Sequence, residues 1–479
     1  MLFNSYEFIF IFLPLVFLGY FGLNFYRLVK ASKVFLILSS LFFYGYFNIF
    51  YLPLLLLSIF FNYYMSICIS KFKNRKILLF GIFFNIILLG IFKYTDFLIE
   101  NINFLFNVDL KFLNILLPLA LSFITFQQIA FLIDTYHSKI EKINLLDFSL
   151  FITFFPQLIA GPIVHHKEMM PQFFNLKNSI INHKNICAGL FIFAIGLFKK
   201  SVIADSLSKI ANEGFNSVEI LNFTQSWITS LSYTFQLYFD FSGYCDMAIG
   251  IALLFNIRLP INFNSPYKAT NIQDFWRRWH MTLSRFLRDY IYIPLGGNKM
   301  GEGRTYFNIF IVFLIGGLWH GASWNFIFWG FLHGVANLIY RLWLKTGIRL
   351  NKFISWFILF NFLNITWVFF RASNFQKAIE ILSSMLNFKT IILPIALKKY
   401  LYFLINFGIE FDAFYLKFSL KNTAIFLSLS FLICFVFKNS TQILDKFKTN
   451  LYFLFFTLLC LYLGIIFIDG YTEFLYFNF

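Results

Sequence analysis

Apolar residues run through this chain in long blocks, and polar residues fall mostly in short breaks between them. The blocks lie near 8–23, 34–48, 50–70, 77–92, 112–133, 147–163, 186–198, 226–255, 306–318, 323–343, 353–370, 391–407, 423–437 and 450–468. Many approach the roughly 20 apolar residues a helix needs to cross a bilayer. Others are short enough to be re-entrant. The pattern predicts an all-α polytopic membrane protein with about 10–12 crossings.

The polar breaks orient the first part of the chain. Arg27, Lys30 and Lys33 follow the first run, and Lys71, Lys73, Arg75 and Lys76 follow the third, without an acid in either break. The intervening hairpin around Asn48 carries no charge. Basic loops stay cytoplasmic, so the N-terminus is expected outside. The break at 93–111 has Asp96, Glu100 and Asp109 against Lys93 and Lys111, as an outer loop should. Beyond residue 150 the alternation no longer orients the chain. The first run lacks a basic flank and a small-residue cleavage site, and reads as a retained span.

Composition supports the membrane assignment. Of 479 residues, 59% are hydrophobic and 13% charged, far from the balance of a soluble domain. The net charge of +17 comes from loop lysines and arginines, which suits contact with anionic headgroups and topology better than nucleic acid. The five cysteines form no CxxC pair and suggest neither a disulfide frame nor a metal site. No hydrophilic stretch is long enough for a soluble domain, so one membrane domain is expected over 1–479. Plain spans fill 1–145 and 353–479. The section 150–335 holds the glycine pairs and six of the seven histidines, and is the expected catalytic core.

Four stretches there carry chemistry. Residues 271–299, NIQDFWRRWHMTLSRFLRDYIYIPLGGNK, read as one amphipathic helix at the membrane surface. Asn271 would cap it, Asp274–Arg278 and Arg285–Asp289 would pair at i,i+4, and Pro294, Gly296 and Gly297 would end it. In QLYFDFSGYCDMAIG (236–250), Asp240 and Asp246 interrupt an apolar run. Each carboxylate costs about 2.5–3.5 kcal/mol at mid-membrane depth, so cationic partners are expected, with the arginines of 277–288 the candidates. From spacing alone, a structural ion pair holding two helices together ranks slightly above catalysis. In FFPQLIAGPIVHHKEMMPQF (154–173), Pro156, Gly161 and Pro162 break a run, which suggests a re-entrant, cavity-lining segment. His165 and His166 after it read as interfacial, and only Glu168 stands near them as a further metal ligand.

The fourth stretch is IGGLWHGASWN (315–325). A buried His320 would be neutral, with one lone pair and one N–H, and could accept a proton from a hydroxyl. Flanking glycines admit close approach. A packed histidine satisfied by a backbone carbonyl is the plain alternative. His333 lacks a polar neighbour in sequence to orient it, and His137 and His183 lie in polar loops.

Together FFPQLIAGPI, YFDFSGYCDMAIG, PINFNSPY, DFWRRWHMTLSRFLRDYIYIPLGGN and GGLWHGASWNFIFWGFLHG resemble the membrane-bound O-acyltransferase (MBOAT) family, in its bacterial branch for alginate and peptidoglycan O-acetylation. The aromatic C-terminus FLYFNF extends the likeness. A teichoic-acid D-alanylation branch shares the FWRRWHMTLS helix, but the PLGGN turn and PQLIAGP favour the acetylation branch. The resemblance implies a ring of spanning helices around a funnel, pinched by re-entrant helices. It implies His320 as the catalytic residue and His280 as a second active-site histidine. Asp240, Asp246, Arg277, Arg278, Ser284, Arg288, Asp289, Trp319, Ser323, Trp324 and Asn325 are expected to support the site or line its tunnel, with no metal. Residues 380–425 match nothing in the family pattern.

The expected activity is an O-acetyltransferase that takes acetyl from a cytoplasmic donor, acetyl-CoA, for an extracytoplasmic polysaccharide, with no bound cofactor. Peptidoglycan is the favoured acceptor; the abundance of Phe, Ile, Lys and Asn suggests an AT-rich bacterial genome, for which the wall polymer is the simpler target. Alginate-like exopolysaccharide acetylation, teichoic-acid D-alanylation and a non-enzymatic transporter are the alternatives. No serine lies in a GxSxG context. The resemblance therefore implies a separate extracytoplasmic serine acetyltransferase- or esterase-like partner for the final ester transfer. The expected location is the bacterial cytoplasmic membrane.

Overall fold

The computed structural model describes residues 1–140, 144–412, 420–468 and 475. Six of its described helices are long and apolar enough to cross a membrane: Phe8–Phe25, Ile49–Phe72, Arg75–Phe106, His183–Phe215, Phe223–Leu254 and Lys352–Arg371. Val29–Gly45, Leu121–Tyr136, Glu302–His320, Trp324–Lys345, Leu420–Phe435 and Leu451–Ile466 complete the long helices. The C-terminal FLYFNF lies outside the described residues save Leu475.

Phe223–Leu254 is the axis of the molecule, buried along its length. It packs on His183–Leu197 and Asp205–Phe215, and glycines set the spacing. A Cβ on Gly196 would stand 2.6 Å from the Gly243 carbonyl oxygen, and one on Gly250 2.6 Å from that of Gly189. Helices without a water-driven hydrophobic attraction associate through such close backbone approach.

Asp240 and Asp246 project from this axis, and their partners are lysines rather than the expected arginines. Lys199 Nζ is 2.6 Å from Asp246 Oδ2, and Lys200 Nζ is 2.6 Å from Asp240 Oδ1 and 2.8 Å from Asp205 Oδ1. Both lysines lie on the π-helical segment Phe198–Ala204 that packs directly on the axis. The arginines sit on an element that points elsewhere. Both aspartates thus form ion pairs between helices.

The run 147–163 is not one span. It forms Leu145–Thr153 and the short Phe155–Leu158, then continues without helix to His166–Phe174. The freed backbone groups find partners inside the protein: Phe155 N donates to Ser40 Oγ (3.2 Å) and Ile163 N to Thr282 Oγ1 (3.0 Å). That is the condition for irregular backbone at membrane depth. The run 391–407 is not a span either. Pro394 and the Lys398-Lys399 pair interrupt it, leaving short helical turns and a parallel pair of strands, Ile392–Pro394 with Glu410–Asp412.

The expected continuous helix of 271–293 is also broken. Asn271 does cap it, accepting the Asp274 N–H at 2.8 Å, and Asp274 pairs with Arg278 at 2.9 Å. The helix ends at Trp276, restarts as Met281–Leu287 and turns π-helical over Arg288–Tyr292. Phe275, Trp279 and His280 are buried while Arg277 and Arg288 stay exposed, so the segment is wedged into the protein rather than lying flat upon it. The Arg285–Asp289 pair does not form: Arg285 grips Glu168, and Asp289 pairs with Arg288 at 2.7 Å.

Candidate active site

His280 occupies the break. Its backbone has φ +42°, a left-handed conformation that costs a side-chain-bearing residue about 1–2 kcal/mol. The turn stops the first short helix and starts the second. Its imidazole is fully buried, and Nδ1 donates to Asn262 Oδ1 at 3.2 Å. Asn262 also accepts from Thr282 N (3.2 Å) and Thr282 Oγ1 (2.9 Å). In the neutral ring this fixes the tautomer, with the lone pair on Nε2.

His320 is the last residue of Glu302–His320. Gly317 lets that helix press against Trp324–Lys345: a Cβ there would stand 2.3 Å from the Phe326 carbonyl oxygen. Its partner Gly330 would likewise reach the Phe313 oxygen at 2.5 Å. The close crossing seats His320 beside Trp319, Trp329 and Phe370, with ring centroids 5.0–5.2 Å away. The His280 and His320 rings are 6.5 Å apart, and Trp319 flanks both. His320 is 2% exposed. Two histidines separated by 40 positions thus share one aromatic chamber.

Beside His280 opens a cavity of 630 Å³, walled by Thr282, Ser284, Arg277, Arg285 and Arg288 among others. A second, of 270 Å³, shares Trp276, Arg277, Ser284 and Arg288 and adds Asn337 and Arg341. Of the expected supporting residues, Trp319 joins the histidines, while Arg277, Ser284 and Arg288 line these cavities. Arg278 is held by Asp274, and Asp289 by Arg288. Ser323 precedes Trp324–Lys345 without a side-chain cap bond. Trp324 turns outward, 60% exposed, donating to Asn101 Oδ1 at 2.9 Å. Asn325 ties the helix start to the Ala372 carbonyl (2.9 Å). Asp240 and Asp246 belong to the ion pairs of the axis.

Three histidines differ from expectation. His333 does have an orienting neighbour: Trp276 Nε1 donates to its Nδ1 at 3.3 Å. His165 and His166 meet Asp134, not Glu168. His165 Nε2 is 2.6 Å and His166 Nδ1 3.6 Å from Asp134 Oδ2, while Tyr290 OH donates to the same oxygen at 2.8 Å. The ligand atoms of these three residues lie within 4.8 Å of one another. His165 Nδ1 accepts the Lys167 N–H (3.3 Å), so Nε2 carries the proton and serves as a donor to the carboxylate.

Asn262 escaped sequence reasoning as a site residue, although it lies in PINFNSPY; nothing in that motif marks which polar residue faces His280. Asn337 and Arg341 also escaped, because they enter the cavity from the helix after the histidine motif.

The membrane-bound O-acyltransferase (MBOAT) family model matches residues 135–375, which contain both histidines, Asn262 and the arginine cavities. The chain belongs to this family. It is an acyltransferase and a multi-pass membrane protein, and the transporter alternative gives way to acyl transfer. The MBOAT chain is 47% identical to the peptidoglycan O-acetyltransferase of Helicobacter pylori over 100% of its own length and 98% of that protein's. It is 38% identical to a probable alginate O-acetylase of Pseudomonas aeruginosa, covering 81% and 76% of the two chains. A teichoic acid D-alanyltransferase of Streptococcus thermophilus is 28% identical over 49% of this chain and 59% of its own.

Proposed function

We propose that this protein takes acetyl groups from acetyl-CoA on the cytoplasmic side of the bacterial cytoplasmic membrane and supplies them for O-acetylation of peptidoglycan outside it. The observation that carries the reading is the juxtaposition of two buried imidazoles, 6.5 Å apart, with an arginine-walled cavity at Thr282, two residues from His280. The full-length likeness to a protein named for peptidoglycan O-acetylation favours that acceptor over alginate or teichoic acid.

Loop charge supports the orientation. Lys299 and Arg304 lie at the start of one helix of the His320 hairpin, and Arg341, Lys345 and Arg349 at the end of the other; Lys345 pairs with Glu302 across it. Basic ends face the cytoplasm, so the arginine cavities open inward, with the N-terminus outside. Arg277, Arg288 and Arg341 then meet the CoA phosphates, for which a guanidinium fork is the best-matched side chain. Only acetyl needs to reach the chamber.

There His320 takes the proton of the acceptor hydroxyl while that oxygen attacks the thioester carbonyl. The C–S bond breaks, and the CoA thiolate leaves and takes up a proton. His280, its Nδ1 anchored on Asn262 and the lone pair on Nε2, orients the reactants as a hydrogen-bond acceptor. That first acceptor belongs to a separate extracytoplasmic hydrolase-like partner, whose new acetyl ester is then broken as a glycan hydroxyl attacks it, so that the acetyl ends on the glycan and the partner's hydroxyl is regenerated. No bound cofactor or nucleic acid takes part.

The test is His320→Ala in cells. With normal insertion of the protein, cell-wall O-acetyl esters should fall to background, since such proton transfer contributes about 10²–10⁴-fold. Unchanged ester content rejects the reading.

A further inference from the structure

Four carbonyls at the C-terminus of any α-helix lack partners within it. In Glu302–His320 all four are accounted for. Gly317 O accepts the Gly321 N–H at 3.4 Å. The other three are held by two consecutive residues of a different helix, Arg75–Phe106. Tyr94 OH donates to Leu318 O at 2.8 Å. The Lys93 ammonium donates to Trp319 O and, at 3.3 Å, to His320 O.

Lys93 lies well inside that 32-residue helix, not in the outer loop where charge counting had put it. Among the described residues its other contacts are the Ser122 hydroxyl at 3.5 Å and the face of Trp319 at 5.7 Å. A lysine at membrane depth is costly and needs a reason. Here the ammonium meets the negative end of a helix dipole, where a cation is most favourable. One of the carbonyls it holds belongs to His320 itself.

We propose that Lys93, seconded by Tyr94, is a positioning residue for acyl transfer: it clamps the end of the helix that carries His320 and so fixes where the imidazole stands relative to His280. This rests on the reading of His320 as the base. The ammonium touches backbone rather than reacting atoms, and it lies outside the arginine cavities proposed for the donor. Its loss should therefore lower turnover without weakening donor binding.

The test compares Lys93→Met, Lys93→Arg and Tyr94→Phe in membranes from cells making each protein. The readout is the initial rate of CoA release over a range of acetyl-CoA concentrations, normalised to folded protein by fluorescence-detected size exclusion. K93M should lower kcat by about 10²-fold, the scale of a 1 Å misplacement, with KM for acetyl-CoA unchanged. K93R, still able to donate to two carbonyls, should recover much of that loss, and Y94F should lose less than K93M. Wild-type kcat in K93M, a rise in KM with kcat intact, or K93R as slow as K93M would each overturn the proposal. If K93M does not accumulate, Lys93→Gln, a neutral donor, takes its place under the same criteria. His320→Ala separates the two levels: activity there removes the underlying reading, whereas an inactive H320A beside a fully active K93M removes only the clamp.

Discussion

At the scale of residues, the site depends on groups that hold histidines rather than on histidines alone. Asn262 receives three donors on one oxygen, and one of them is His280 Nδ1–H. Replacing it with Leu removes that acceptor and leaves buried donors unmet, which costs about 1–3 kcal/mol per group. Asn262→Leu should lower kcat for CoA release by about 10²-fold through loss of the ring's orientation, with little change in KM; a variant at wild-type rate would detach Asn262 from the chemistry. His320 stands out in the sequence because an ionisable group in an apolar run is conspicuous, whereas His280 follows two arginines and is marked only by the resemblance of FWRRWH to the family. Asn262 does not stand out, since its value lies in a contact across 18 positions that only the turn at His280 creates. Lys93 was misread for a related reason: a lysine beside a loop and one aimed at a helix end look the same in one dimension.

At the scale of elements, two glycine crossings decide how close helices come. Gly317 and Gly330 bring Glu302–His320 against Trp324–Lys345, and the obstacle to a side chain at either position is backbone oxygen, which cannot swing aside. Gly317→Ala should destabilise the detergent-solubilised protein by about 1–3 kcal/mol, the usual cost of overpacking, and displace His320 with it. A thermal melt followed by fluorescence checks this; an unaltered midpoint would mean the crossing can relax. Most long helices were legible as apolar runs because their composition alone suits a bilayer. The failures have separate causes. In 271–293 the helical pattern gives way to a left-handed turn at His280, and in 391–407 the overall apolarity of the run hides Pro394 and a charged pair that break it.

At the scale of the whole molecule, arginine-lined cavities stand beside the element that carries His280, and on the proposed reading donor affinity and turnover are served by different residues. Arg288→Gln and Arg341→Gln should each raise KM for acetyl-CoA about tenfold, as loss of one charge-assisted hydrogen bond of ~1.5 kcal/mol implies, and leave kcat nearly intact. Unchanged KM in both would move the donor elsewhere. The family, matched over 135–375, could be read from the motifs that this stretch contains. The partners of Asp240 and Asp246 could not, because charge sign says what is needed but not which helix supplies it.

Those paired charges also bear on how the chain enters the membrane. Lys199 and Lys200 would each burden a lone segment by about 2.5–3.5 kcal/mol during insertion, and Asp240 and Asp246 burden the next one similarly. Both segments are apolar enough to cross by themselves, and Lys200 has Asp205 on its own segment, but Lys199, Asp240 and Asp246 find their counter-charges on the other one. Leaving the translocation machinery together as a hairpin would neutralise these charges before lipid surrounds them, so that a late step of synthesis lowers the cost of an earlier one.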